Sequence, residues 1–306
     1  MLHLVDSFRN IFVSMRVYEY GNLLPGLLLR RKNRFVSEVL ILGSTDPIDC
    51  YMANPGSMLG MCVKGAEVRL SVSLRESRRL KHTVEAIKIR RTWIGCNTHV
   101  ANEVVATILQ DRSRAVRLGF PDFESFRREI RHGNSRFDFE LDCSKRSVLM
   151  EVKTVTMASD WFDVETKSER ASEPIRKFPN SPPPECSRTI GENKQALFPD
   201  CQSERARKHV EQLARISTPT IPILVYVIMR NDVTSVAPSD YCDPEYACAL
   251  RRAVDDGLHV IGIKVSVEVE SPESCFLKIV GRIPSNILRD TVTNVDRPNK
   301  KRYKDS

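Results

Sequence analysis

Two strand-like runs joined by a short polar hinge constrain this chain more than any other stretch. In the first, Phe137, Phe139 and Leu141 alternate with Asp138, Glu140 and Asp142, the period of a half-buried strand. In the second, Val148-Leu149-Met150-Glu151-Val152-Lys153-Thr154-Val155 puts Glu151 and Lys153 on one face. The hinge is Asp142-Cys143-Ser144-Lys145-Arg146-Ser147. A hairpin symmetric about Ser144 and Lys145 sets Asp138 opposite Glu151, with Cβ atoms roughly 4.5–5.5 Å apart. Two carboxylates at that spacing can share one hard cation, Mg²⁺ or Mn²⁺, through oxygen ligands. With an ammonium two residues further on, this is the arrangement that metal-dependent phosphodiester cleavage requires. A Glu-x-Lys tripeptide alone carries little weight, and a second copy, Glu192-Asn193-Lys194, sits where no strand pattern exists. The weight rests on the paired strands.

Successive segments resemble the motifs of a known family in the same order. They are Asn33-Arg34-Phe35-Val36, Asn54-Pro55-Gly56-Ser57-Met58-Leu59-Gly60, Asn134-Ser135-Arg136-Phe137-Asp138-Phe139 and Glu151-Val152-Lys153-Thr154-Val155-Thr156. Phe198-Pro199-Asp200, Glu204-Arg205 with Lys208-His209, and Asp243-Pro244-Glu245-Tyr246 follow. Together they resemble the sugar fermentation stimulation protein A (SfsA) family from about Leu24 to about Ile279. That resemblance implies an OB-fold-like N-terminal barrel, a PD-(D/E)xK restriction-endonuclease-like α/β domain, and DNA binding. Departures are Pro55 and Ala206, where the family usually has Thr and Gly, and a long insertion between Thr156 and Phe198. None touches Asp138, Glu151 or Lys153.

The domain organisation read from the sequence is a leader at 1–16, an OB-fold-like domain at 17–100, a nuclease-like domain at 101–280 and a basic tail at 281–306. A disordered insertion is expected at about 160–195, where Ser181-Pro182-Pro183-Pro184 and mixed charges break every pattern. The formal net charge is +8, and it is unevenly spread. Residues 1–100 hold 15 Lys/Arg against 8 Asp/Glu, and residues 289–306 hold 6 against 3. A basic first domain favours a polyanion, because neutralised phosphates release counterions. Arg30, Arg31, Lys32 and Arg34 form its densest cluster, while Phe35, Tyr51 and Trp93 offer rings on which bases can stack. Nine scattered cysteines show no zinc spacing and fit a reduced intracellular protein, cytoplasmic or nuclear. Residues 1–16 also fit an amphipathic organelle-targeting helix. No run reaches the length of a membrane span, so no membrane partner is expected.

In the second domain, a helix over about 102–118, strands at 126–131, 137–142 and 148–155, a helix from Ser203, a buried strand at 221–229, a helix capped by Asp243 and a last strand at 258–269 are predicted. In the nuclease reading, Asp138 and Glu151 hold the metal. Lys153 orients the attacking water and stabilises developing negative charge; carboxylates on either side favour that electrostatic role over a base. Arg136, Arg205, Lys208 and His209 clamp phosphates, and Glu129 is a candidate either for the layer behind the metal ligands or for an additional ligand. Two alternatives stay open. One is a non-catalytic DNA-binding regulatory protein that keeps the nuclease fold. The other is an OB-type domain that contacts RNA. Single- or double-stranded substrate and oligomeric state are not fixed by the sequence.

Overall fold

The structure is a computed structural model that describes residues 15–133, 135–167, 194–271 and 274–287. Residues 1–14 of the expected leader, 168–193 of the expected insertion, and the tail from 288 lie outside the described residues.

Leu24 to Ile89 form a barrel. Strands β2 (Leu24–Asn33), β3 (Val36–Ile41), β4 (Ile48–Met52), β5 (Glu67–Val72) and β6 (His82–Ile89) follow β1 (Arg16–Gly21) in the chain. They pair antiparallel in the order β4-β3-β2-β5-β6. A parallel pairing of β4 with β6, Tyr51 to Thr83 and Met52 to Val84, closes the circle into five strands. Closure removes the open edges that five short strands would otherwise expose. Leu28, Val39, Met52, Val68, Leu70, Val84 and Ile87 fill the interior. Strand β7 (Thr92–Gly95) pairs with the outer side of β6.

The second domain is a seven-stranded mixed sheet with helices on both faces. Its strands are β8 (Ser125–His132), β9 (Ser135–Cys143), β10 (Arg146–Val155), β13 (Ile221–Ile228), β15 (His259–Ser271) and β16 (Ser274–Ile283), with β1 at one edge. A small second sheet holds β11 (Met157–Ala158), β12 (Gln195–Phe198) and β14 (Ser235–Pro238). The helices are α1 (Val100–Leu109), α2 (Arg112–Arg117), α3 (Trp161–Lys167), α4 (Glu204–Ala214) and α5 (Pro244–Asp255). Strand β13 reads Ile-Pro-Ile-Leu-Val-Tyr-Val-Ile because it is buried on both faces between two parallel neighbours. Helix α1 covers one face through Val104, Val105 and Ile108, and α4 and α5 cover the other through Val210, Leu213 and Leu250. Among the described residues no helix is long and apolar enough to cross a membrane.

Four sequence expectations change. The helix expected at 102–118 is two helices, because Asp111 leaves the helical conformation and caps α2 by accepting from the Arg114 amide at 2.9 Å. Strand β15 is followed by β16, which runs to Ile283, so residues 281–283 belong to the sheet and not to the tail. Residues 16–21 pair with β16 of the second domain instead of entering the barrel. The fourth change concerns the insertion, whose first residues are packed. Val164 joins the barrel core, Trp161 stacks on Tyr241, and Glu165 accepts from the Gly60 amide at 2.7 Å. Deleting Asp163–Lys167 should therefore lower stability by about 2 kcal/mol or more, from one buried valine and one orphaned amide. A thermal melt unchanged by that deletion would contradict the packing.

The two domains meet along a continuous seam. The Gly95 amide donates to the Met229 carbonyl at 3.0 Å, and Thr154 Oγ1 donates to the Thr98 carbonyl at 3.1 Å. The barrel loop Asn54–Met58 wraps the Asp200 carboxylate, which accepts from the Met58 amide at 2.7 Å. Gly56 is required there, since a Cβ would overlap that carboxylate.

Candidate active site

The β9–β10 hairpin has the register that symmetry about Ser144 and Lys145 requires: Arg146 faces Cys143, Val148 faces Leu141, and Met150 faces Phe139. Ser144 takes the left-handed conformation that the tight turn needs, with φ 58°. The ladder ends at the Phe139–Met150 pair, one step before Asp138 and Glu151. Beyond it the Asp138 carboxylate takes the place of a backbone acceptor: Oδ2 accepts from the Val152 amide at 2.8 Å. Its other oxygen, Oδ1, accepts from Asn102 Nδ2 on α1 at 2.8 Å. Asp138 is thus clamped from both sides at the point where the two strands part.

Glu151 is almost fully buried, at 4 % exposure. Its Oε1 receives Lys153 Nζ at 2.5 Å and also meets His209 Nδ1 of α4. Its Oε2 is buried and has no hydrogen-bond partner. Burial raises the Asp138 carboxyl above its ordinary range and the nearby Glu151 charge adds to this, against the Val152 and Asn102 hydrogen bonds. Burial pushes Glu151 the same way, but the His209 hydrogen bond and the Lys153 ammonium outweigh it, and the net direction is down. One carboxylate is therefore held as an anion while its neighbour is ionised at a cost, a state that a cation between them would relieve.

Those groups fit a divalent metal. A buried carboxylate oxygen without a partner is an acceptor in need of a charge. Asp138 keeps free lone pairs on both of its oxygens, because each accepts one bond. Among the described residues no group of three or more His, Cys, Asp or Glu side chains forms a ligand set. Two carboxylates with the remaining positions left to water suit Mg²⁺, which sheds its waters reluctantly.

Next to this pair lies a cleft of about 390 Å³ lined by Ser135, Arg136, Glu204, Arg205, Lys208, His209 and Gln212. The four phosphate-clamp residues predicted from the second domain, Arg136, Arg205, Lys208 and His209, are all brought together here. Arg205 is exposed, and Lys208 pairs with Glu204 at 2.7 Å. His209 is turned inward onto Glu151, so it positions that carboxylate as well as lining the cleft. Glu129 lies on β8 across from Asp138, between the Arg128–Phe139 and Ile130–Phe137 pairs. It is half-exposed, has φ 59°, and pairs with Arg136.

The barrel cluster divides. Arg31 is buried at 7 % exposure and donates to the carbonyls of Asn54 (2.9 Å), Gly56 (2.8 Å), Ser57 (3.1 Å) and Arg34 (3.0 Å). It is a structural residue that fixes the Asn54–Ser57 loop, not a surface phosphate contact. Lys32 pairs with Glu38 at 2.9 Å and Asp49 at 2.6 Å, and Arg30 lies 3.4 Å from Glu38. Arg34 is exposed and, among the described residues, has no carboxylate partner. Trp93 is covered, with the Arg69 guanidinium 4.7 Å and the Lys88 ammonium 5.6 Å from its ring centre.

Sequence reasoning missed two groups. Asn102 was legible only as the beginning of a helix, since nothing local says that its amide reaches Asp138. Asp243 was legible as a helix cap, and it does accept from the Tyr246 amide at 3.0 Å, but its second oxygen also accepts from the Ser203 amide at 2.8 Å. One carboxylate thus anchors the starts of both helices behind the site.

A closed five-stranded barrel of OB type joined to an α/β domain of restriction-endonuclease type defines the class. The family model described as SfsA N-terminal OB domain matches residues 29–96, and that described as Sugar fermentation stimulation protein RE domain matches 99–182 and 186–271. The chain belongs to the SfsA family. Sugar fermentation stimulation protein homologues from Synechococcus elongatus and Rippkaea orientalis are 33% and 32% identical to it, each over 84% of this chain and 95% and 93% of their own. The structure of Pyrococcus furiosus SfsA in complex with Ca²⁺ superposes with a TM-score of 0.66 at 20% identity, covering 89% of this chain and 99% of that one.

Proposed function

We propose that this chain is a divalent-metal-dependent phosphodiesterase acting on nucleic acid, with DNA as its substrate. The observation that carries the reading is the buried, partnerless Glu151 Oε2 beside a second desolvated carboxylate, Asp138. Asp138 and Glu151 would hold Mg²⁺ or Mn²⁺, which supplies charge stabilisation at the scissile phosphate. That the Pyrococcus relative is a Ca²⁺ complex supports a hard cation in this family's fold.

The chain's own residues account for the rest. Lys153, fixed on Glu151 at 2.5 Å and mostly buried, presents an ammonium to the water that attacks phosphorus and to the negative charge that builds on the phosphate oxygens. The attacking water gives up a proton to solvent as its oxygen bonds phosphorus, and as the phosphorus–oxygen bond to the leaving sugar breaks, that oxygen takes up a proton from solvent. Arg136, Arg205 and Lys208 hold the flanking phosphates in the cleft. Lys153→Ala is expected to slow cleavage about 10²–10³-fold, the usual loss for one transition-state donor. Metal affinity, measured by Mn²⁺ titration, should change only a few-fold, since both carboxylates remain.

The second reading, a protein that grips DNA without cutting it, is favoured by the lack of a third ligating side chain among the described residues. One assay separates the two. Purified protein is incubated with labelled single- and double-stranded DNA and RNA in Mg²⁺, Mn²⁺ or EDTA, with binding measured in parallel. Metal-dependent products support the phosphodiesterase. Firm binding without products on every substrate supports the grip.

A further inference from the structure

Within the most basic stretch of the barrel, Arg34 alone is both exposed and, among the described residues, without a carboxylate partner. Among the described residues, Arg34, Arg75 and Arg79 are exposed and have no carboxylate partner, whereas Arg30, Lys32 and Lys88 are paired with Glu38, Asp49 and Glu67. Arg34 directly precedes Phe35 in the chain, and Arg75 and Arg79 belong to the loop whose Arg78 meets Tyr51. Phe35 sits in the two-residue turn between β2 and β3, where its amide donates to Asn33 Oδ1 at 2.9 Å and its carbonyl accepts from the Met52 amide at 2.9 Å. The Phe35 ring is 45% exposed and lies parallel to that of Tyr51, at 6.3 Å and 16°. The Arg78 guanidinium stands 5.2 Å from the Tyr51 ring centre and is tied to Thr83 Oγ1 at 2.7 Å, which draws the Arg75–Arg79 loop to the pair.

A rigid, half-exposed ring backed by a second ring and bordered by unpaired guanidinium groups matches an unstacked base followed by phosphates. Duplex DNA offers phosphates but no free base face. We propose that Phe35, backed by Tyr51, is a stacking platform for a base of single-stranded nucleic acid whose phosphates are held by Arg34, Arg75 and Arg79. The platform also borders the second domain. Arg31 ties the Arg34 carbonyl to the Asn54–Ser57 loop, which encloses Asp200, and Cys201 lies just ahead of α4, whose Arg205 and Lys208 line the cleft. This inference rests on the nucleic-acid half of the proposed function and not on cleavage.

The test is fluorescence anisotropy on the full chain in EDTA, using a labelled single-stranded oligonucleotide, the same length of abasic sugar-phosphate chain, and a duplex. Phe35→Leu keeps an apolar contact with Tyr51 and removes the ring; Phe35→Tyr restores a ring. Phe35→Leu should bind the single strand about ten-fold more weakly, bind the abasic chain and the duplex as wild type does, and be rescued by Phe35→Tyr. Unchanged single-strand affinity in Phe35→Leu, or an equal loss on the abasic chain, would overturn the platform. A wild type that binds no nucleic acid would overturn both this and the proposed function. Base-dependent binding with no cleavage in metal would support the platform and reject only the enzyme.

Discussion

Asp138→Asn is expected to abolish metal-dependent cleavage and, in the absence of metal, to raise the melting temperature. The loss of rate follows from removing one of two metal-holding carboxylates. Several kcal/mol of charge stabilisation depend on the cation, and at about 1.4 kcal/mol per decade that is a fall of roughly three orders of magnitude. The gain in stability follows from the cost of ionising Asp138. Burial and then the Glu151 charge raise its carboxyl above the ordinary range. A carboxyl raised in the folded state destabilises the protein once the pH exceeds the folded-state value, and the penalty disappears below the unfolded value. Above the folded-state value the penalty is fully present in the wild type and absent in the asparagine variant, which still offers an acceptor to the Val152 amide. The stability gap should therefore close as the pH falls through the carboxylate range. Saturating Mn²⁺ should reverse the order, since a ligand at a hundred times its Kd adds about 2.7 kcal/mol to the wild type alone. A variant that cleaves within ten-fold of wild type, or melts below it without metal, would contradict this account of the site.

The hairpin that carries this chemistry was legible because two signals agree. Alternating residues on each side define the faces, and the polar hinge fixes the register about Ser144 and Lys145. Legibility stopped where one residue departs from a local pattern or where distant segments meet. The pairing of Arg16–Gly21 with β16 joins the beginning of the chain to its far end, and no periodicity encodes such a contact. Arg30-Arg31-Lys32 shows the first kind of failure. Strict alternation from the buried Gly26 and Leu28 would turn Arg30 inward. The pairing of β2 with β3 shifts between Leu28 and Arg30, and this bulge turns Arg31 inward instead. Three adjacent cations thus include one structural residue, one exposed charge and one neutralised charge. Their sum overstated what the cluster offers a phosphate.

Arg31→Ala should consequently act on stability first, by about 3–5 kcal/mol, the range for removing one partner from a buried charged network. Four backbone carbonyls lose their donor at once, and each is buried or partly buried. Three of them belong to the loop that encloses Asp200, whose carboxyl is already raised by burial and is countered by the Met58 amide and the Arg31 charge. Without Arg31 that carboxylate would be still harder to ionise, and the seam between barrel and α/β domain would loosen with it. For a chain of this size the melting temperature should fall by roughly 10 °C. Arg31→Lys should recover little, because one ammonium cannot reach four carbonyls spread along a planar fork. Arg30→Ala is the control: its side chain is exposed and touches only Glu38, at 3.4 Å, so its melt should stay near that of wild type. Equal melting of Arg31→Ala and Arg30→Ala would mean that the arginine is not what holds the loop around Asp200. A selective collapse of Arg31→Ala would also explain any loss of nucleic-acid binding in that variant without assigning Arg31 a phosphate.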